Sequence, residues 1–293
     1  VQGILIIDKP AGFTSFDVVA KLRGICKTRK IGHSGTLDPM ATGVLPVFIG
    51  GAAKAVDMQQ NTDKAYDAVM LLGRRTDTGD ITGETLSQMP VPAGLDEKAI
   101  RQVLERFVGP QMQLPPMYSA VKINGQPLYK AARRGEVVER KPRPVVIHSL
   151  ELTGCVAENQ YALHVSCGKG TYVRTLMEDI GTALGVPATL AALRRTQAGP
   201  YSQNEAVSLE QVQKARDEGR LEQLLLSVET VFHHLDLIRV DAQGEKRLLN
   251  GAPVYRCDVE NGLYRIHRDN VFLGVGRVKD GTLYTEKLFV ERV

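Results

Sequence analysis

Apolar and polar positions change period along this chain, and each change marks an element. Residues 3–8 open with a nearly continuous apolar run, Gly-Ile-Leu-Ile-Ile-Asp, which predicts a short buried strand. Phe16, Val19, Ala20 and Leu22 then follow helical spacing. They predict a helix to about residue 27, capped by Thr14 or Ser15. Residues 43–49 read as a strand, 52–59 as a short helix and 66–72 as a strand. Asp96 is the expected cap of a helix carrying Ile100, Val103, Leu104 and Phe107. Residues 145–152 and 161–166 read as paired strands, and 172–184 as a helix stopped by Gly185 and Pro187. Strands and helices mixed in this way, with antiparallel-looking pairs, predict an α+β fold with a mixed or antiparallel sheet.

After about residue 234 the apolar runs shorten. Residues 235–240, 264–267, 271–278 and 283–289 are separated by Gly, Asp and Asn turns, the pattern of a small β-rich domain. The expected division is therefore 1–234 and 235–293. The tail is nearly charge-balanced, with ten Lys/Arg against nine Asp/Glu from Asp236 to Val293, so any affinity for a polyanion there must come from a local patch.

Composition narrows the function classes. Hydrophobic content of 43% and charged content of 24% are ordinary for a globular chain. No apolar run reaches the length of a membrane span, and the run ending at Ile7 is too short for a signal peptide, so the expected location is cytoplasmic. Cys26, Cys155, Cys167 and Cys257 are scattered without a Cys-x-x-Cys pair, which argues against zinc and disulfides and predicts reduced, partly buried thiols. The net charge of +4 hints only mildly at a polyanionic partner. Its distribution says more. Lys122, Lys130, Arg133, Arg134, Arg140, Lys141 and Arg143 face only Glu136 and Glu139 within one segment. That is either a solvated face or a phosphate-contacting arm, and Tyr118 and Tyr129 beside it suit RNA.

The densest chemistry lies in residues 32–43, Gly-His-Ser-Gly-Thr-Leu-Asp-Pro-Met-Ala-Thr-Gly. Asp38 sits among glycines, a proline and small hydroxyl residues, which excludes a helix interior. The apolar stretch that follows anchors this loop to a core strand. Asp38 alone fits either a reactive carboxylate or an Asx turn. His33, five residues earlier, lacks the spacing of a metal motif. Gly168-Lys169-Gly170-Thr171 lacks the spacing of a P-loop, Asp77 to Gly83 lacks that of a calcium loop, and His233-His234 reads as surface or linker.

Several segments, in order, resemble the TruB family of tRNA pseudouridine synthases. They are Ile6 to Ser15 (IIDKPAGFTS), Gly32 to Pro46 around Asp38, Lys64-Ala65-Tyr66 with Leu72 to Thr78, Pro115 to Lys122, Gly170 to Leu176, and Leu193-Arg194-Arg195. Ser34 and Thr36 stand where Thr and Ala are common in the family, and both are small enough for a tight loop. Leu248 to Val254 and Phe272 to Gly276 more loosely resemble a PUA domain, an RNA-binding module.

The resemblance implies a pseudouridine synthase catalytic domain with an RNA-clamp insertion near 115–145, followed by a PUA-like domain. It implies isomerisation of uridine 55 in the tRNA T-loop after base flipping, without cofactor or metal. Asp38 would be the essential carboxylate, Arg174 its ionic partner, and Tyr66 the ring that stacks on the target base and handles the C5 proton. Tyr172 and Leu193 would line the uracil pocket. His33 would hold displaced nucleotides, Lys9 would lie near the floor, and Lys130, Arg133 and Arg134 would contact phosphates. The implied partner is the tRNA T-arm, with the acceptor stem reached by the C-terminal domain, and no membrane or obligatory protein partner. A tRNA-folding role and a guide-directed synthase of the box H/ACA type are the rival readings.

Overall fold

A computed structural model describes residues 1–59, 62–123 and 125–290. Its centre is a nine-stranded sheet. The main path runs, edge to edge, through Gly3–Lys9, Thr42–Ile49, Ala188–Ala198, Lys64–Leu72, Gln160–Cys167, Arg143–Ala157 and Gly109–Gln113. Ile31–His33 and Tyr201–Ser202 pair at its flanks. Neighbours are antiparallel except at one seam, where Arg194 and Arg195 lie beside Thr42 and Gly43 in parallel register. The sheet is thus mixed, as the α+β reading expected.

The continuous apolar run at the start has a direct cause. Leu5 and Ile7 pack into the core under the helices, while Ile4 and Ile6 pack into a second core on the opposite face. A strand covered on both sides has no polar face to show. Helices Ser15–Cys26, Glu97–Leu104, Val173–Leu184 and Leu209–Asp217 contribute to the first core.

The first helix begins where expected. Thr14 caps it in a reciprocal box with Asp17, and Lys27 ends it in a left-handed conformation. Its buried face differs from the expected one. Ser15, Val18, Val19, Leu22, Ile25 and Cys26 face inward, while Phe16 is 63% exposed and Ala20 is exposed too. The small Ser15 takes the inward position because its hydroxyl bonds the backbone of Leu37. This turns Phe16 outward beneath the guanidinium of Arg23.

Other boundaries shift modestly. The helix capped by Asp96 ends at Leu104 and tightens into a 3-10 turn through Phe107. The expected short helix is a 3-10 helix, Gly50–Met58. Tyr172 flanks its helix rather than joining it. Cys155 is exposed, not part of a core.

From Asp236 a five-stranded sheet forms, ordered Asp236–Arg239, Gly262–Arg268, Val271–Lys279, Thr282–Leu288 and Val254–Tyr255. It also carries a helix, Ala242–Leu249, that the strand pattern did not reveal. Val275 and Phe289 of this sheet share a core with Phe232, Tyr201 and Phe48. Glu229, just before the sheet, accepts from Arg265 at 2.8 Å and lies 2.9 Å from His267 Nε2. Residues 291–293 of the expected tail lie outside the described residues.

Candidate active site

Asp38 follows the short strand Ile31–His33 on a loop, and backbone bonds fix that loop on both sides. Ser15 Oγ accepts from the Leu37 N–H at 2.9 Å and donates to the Leu37 carbonyl at 3.3 Å. The Ala41 N–H returns to the Asp38 carbonyl at 3.1 Å, and the Gly12 N–H reaches the Pro39 carbonyl at 2.8 Å. Beneath the loop, the fully buried Lys9 donates through Nζ to the carbonyls of Pro10, Phe13 and Pro39 at 2.9, 2.5 and 3.2 Å. Lys9 is therefore a structural floor that gathers two loops. Burial, with the charge of Arg195, pulls its ammonium down to about 8, while the charge of Asp38 acts in the opposite sense.

The carboxylate faces Arg174, from the first turn of the helix Val173–Leu184. Nε lies 2.8 Å from Oδ2 and Nη2 3.1 Å from Oδ1, a two-pronged contact. Arg174 is 4% exposed, yet the Asp38 side chain remains 34% exposed, so the pair is covered from the arginine side and open from the other. The remaining donors are not idle. Nη1 reaches the Thr78 carbonyl at 2.8 Å and Nη2 the Tyr118 carbonyl at 2.8 Å. Through Tyr118, the Asp38–Arg174 pair is tied to the root of the expected clamp.

Burial raises the Asp38 pKa above the ordinary carboxylate value. Arg174 counters this, Asp80 adds to it, and Lys9 opposes it more weakly. Asp80 is itself buried and accepts from the Thr82 N–H at 3.0 Å, the Thr82 hydroxyl at 2.5 Å and the Thr78 hydroxyl at 3.0 Å. The segment dismissed as a calcium loop is therefore a wall of this site. The alternation of Asp and Thr in Asp77 to Thr82 was the available signal; it lacks metal-loop spacing, and the family-like block ends at Thr78, before Asp80.

Tyr66, 6% exposed, lies on Lys64–Leu72 next to the chain segment of Leu193. Tyr66 pairs across the sheet with Arg195, and Ala68, two residues on, pairs with Leu193. Both side chains therefore share one face, within the core that includes Leu37 beside Asp38. Burial pushes the Tyr66 phenol up to about 12, and the neighbouring Arg195 pulls it the other way. Tyr172 is half-buried. Its N–H donates to Gln113 Oε1 at 2.8 Å, and Gln113 Nε2 donates to its carbonyl at 3.1 Å. Gln113 is buried and was not foreseen. His33 is half-buried, with its pKa lowered by burial and Arg195, and its buried Nδ1 has no hydrogen-bond partner among the described residues.

Lys130, Arg133 and Arg134 are exposed on or after the short helix Leu128–Ala132. Arg133 stacks over Tyr129, 5.5 Å from the ring centroid, and Arg134 pairs with Glu136 at 2.7 and 2.8 Å. Among the described residues no group of three His, Cys, Asp or Glu could hold a metal ion.

The arrangement offers an oriented, partly open carboxylate beside a buried aromatic ring. An ionised carboxylate held in this way can serve as a base or as a nucleophile. Solved structures share the architecture: a Cbf5–Nop10–Gar1 complex aligns with TM-score 0.73 and 26% identity, covering 98% of this chain and 85% of that one. "tRNA pseudouridine synthase B" of Pseudomonas putida is 43% identical over 98% of this chain and 95% of the relative. The Aromatoleum aromaticum protein of the same name is 44% identical over 98% and 92%. The model described as "TruB family pseudouridylate synthase (N terminal domain)" matches residues 23–173. Two C-terminal models, "tRNA pseudouridylate synthase B C-terminal domain" and "Pseudouridine synthase II TruB, C-terminal", match 174–233 and 238–289. The fold and these matches together define a pseudouridine synthase. More narrowly, the chain belongs to the TruB family.

Proposed function

We propose that this chain converts uridine 55 of the tRNA T-loop to pseudouridine, with Asp38 as the essential carboxylate. The observation that carries this reading is the two-pronged Asp38–Arg174 contact, shielded behind and open in front. The relatives named tRNA pseudouridine synthase B support tRNA as substrate. The reaction breaks the N1–C1′ bond, turns the base and joins C5 to C1′. The C5 proton is lost and N1 gains one, so no oxidant or energy carrier is consumed.

Arg174 keeps Asp38 ionised against the effect of burial. Tyr66 stacks on the flipped base, a contact worth roughly 1–3 kcal/mol, and is placed to handle the C5 proton. Leu193 and Tyr172 close the uracil pocket. His33, its Nδ1 still unpartnered, contacts the displaced nucleotides. Lys130, Arg133 and Arg134 on the insertion follow the phosphates. The tail from Asp236 reaches toward the acceptor stem as a PUA-like module. Opening and remaking the tRNA elbow during flipping makes a folding-factor role a natural companion activity.

The direct test uses purified chain and unmodified tRNA alone. Pseudouridine at position 55 is expected, and Asp38→Asn should lose it while tRNA affinity stays within a few-fold. A requirement for a guide RNA or for added proteins would favour the box H/ACA reading instead.

A further inference from the structure

Arg195 is the largest side chain in the molecule with no exposed surface. It lies opposite Tyr66 on one neighbouring strand and beside Gly43 on the other. Nε donates to the Val44 carbonyl at 2.7 Å, and Nη2 to the Gly35 carbonyl at 2.9 Å. Among the described residues no carboxylate forms an ion pair with it, and the titrating group that acts on it is Tyr66. A buried cation without a counter-ion is costly, and a fold that keeps one has a use for its charge.

The surroundings are shaped to admit this guanidinium. A Cβ at Gly43 would lie 2.2 Å from the Arg195 carbonyl oxygen. At Gly35, where φ is +74°, a Cβ would lie 3.2 Å from Nη1 and 3.3 Å from Lys64 Cε. Glycine at both places lets the catalytic loop and its following strand close on the arginine. Burial and Arg195 together push His33 and Lys64 below their ordinary values. On Tyr66, Arg195 works against burial and favours a charged oxygen. One donor is left over. Nη1 is buried and, among the described residues, meets no acceptor with hydrogen-bond geometry, although the guanidinium and the phenol are close enough to act on each other as a side-chain pair.

We propose that Arg195 is a positioning residue that locks the Asp38 loop to the Tyr66 strand and, through Nη1, orients the Tyr66 hydroxyl and stabilises negative charge on its oxygen during handling of the C5 proton. The lock uses Gly35 and Val44 on the loop side and the cross-strand pairing on the other. The leftover Nη1 donor then aligns with the phenol once a base packs on the ring. This rests on the uridine-isomerase reading above.

Arg195→Lys keeps the charge and removes the fork. It should retain the wild-type circular dichroism spectrum and bind a T-arm stem-loop within about threefold. Its single-turnover rate should fall on the order of 10- to 100-fold, with the high-pH limb of the rate profile shifted. In a Tyr66→Phe background the same substitution should cost at most a few-fold in rate, the part owed to the loop lock alone. An equal loss with or without the Tyr66 hydroxyl would overturn the proposal and leave Arg195 as a strut. Should Arg195→Lys fail to fold, the arginine Nη resonances of the isotope-labelled wild type decide. Tyr66→Phe must move the Arg195 signal when T-arm RNA is bound, and an unmoved signal overturns the proposal. Absence of activity in the wild type would instead count against the isomerase reading itself.

Discussion

Arg174 meets Asp38 side-on, with Nε 2.8 Å from one carboxylate oxygen and Nη2 3.1 Å from the other, while its spare bonding capacity goes to the carbonyls of Thr78 and Tyr118. One guanidinium thus holds the reactive carboxylate, the Asp80 wall and the root of the insertion. Removing one member of a buried pair costs about 3–5 kcal/mol. Arg174→Met should therefore lower unfolding stability by several kcal/mol, toward the low end because Asp38 is partly open to water, and should abolish turnover. Denaturant unfolding and single-turnover assays check both parts; a fully active, fully stable variant would refute the coupling.

The pH profile follows from the raised Asp38 pKa. The carboxylate must be ionised to react, so activity should fall as pH drops through a value above the ordinary carboxylate range. Asp80 adds to that shift, and Asp80→Asn removes a negative charge while keeping an Oδ1 acceptor for Thr78 and Thr82. The acid limb of this variant should move to lower pH. A limb that stays in place, or moves up, would mean that Asp80 does not act on Asp38 through charge.

Lys9 supplies a stability signature. Its ammonium titrates near 8 in the folded chain, against 10.5 for the free side chain. The folded state therefore loses this proton first. The penalty is fully present below pH 8, and stability rises between pH 8 and 10.5, by roughly 3 kcal/mol from this group. Measured against Lys9→Met, the wild type should gain stability with pH across that window. Parallel curves for the two proteins would show that Lys9 is not desolvated as described.

The insertion cations should be unequal. Arg134 is already held by Glu136 through two bonds, whereas Lys130 has no ion pair among the described residues. Lys130→Ala should weaken T-arm RNA binding and reduce its salt slope by about one phosphate contact. Arg134→Ala should do less, and Glu136→Ala should tighten binding by freeing Arg134. Filter-binding titrations at several salt concentrations separate these outcomes.

Much of the site was legible because its residues stand in compact, ordered segments. Asp38 is marked by the Gly and Pro around it, and Tyr66 and Arg174 by the blocks that contain them. What escaped depends on contacts between segments far apart in the chain. Asp80 reaches the site through Thr78, whose hydroxyl donates to Asp80 and whose carbonyl accepts from Arg174, and Gln113 through the backbone of Tyr172, 59 residues away. Gln113 leaves no periodic trace in the chain. Phe16 was misassigned because its apolar character fits the helical period, whereas Ser15 goes inward to hold the Leu37 backbone. The helix Ala242–Leu249 was hidden by Gly244 and by a mostly polar sequence, and its only strong cue was the Asp241 cap.

The central claim is that Asp38, held by Arg174, carries the isomerisation of a T-loop uridine. The most direct measurement is tritium release from C5-labelled uridine in a T-arm stem-loop under single turnover, for wild type and Asp38→Asn. The account predicts release by the wild type and none by the variant, with RNA affinity within a few-fold for both. Release by Asp38→Asn at the wild-type rate, or tight binding without release by the wild type, would contradict it.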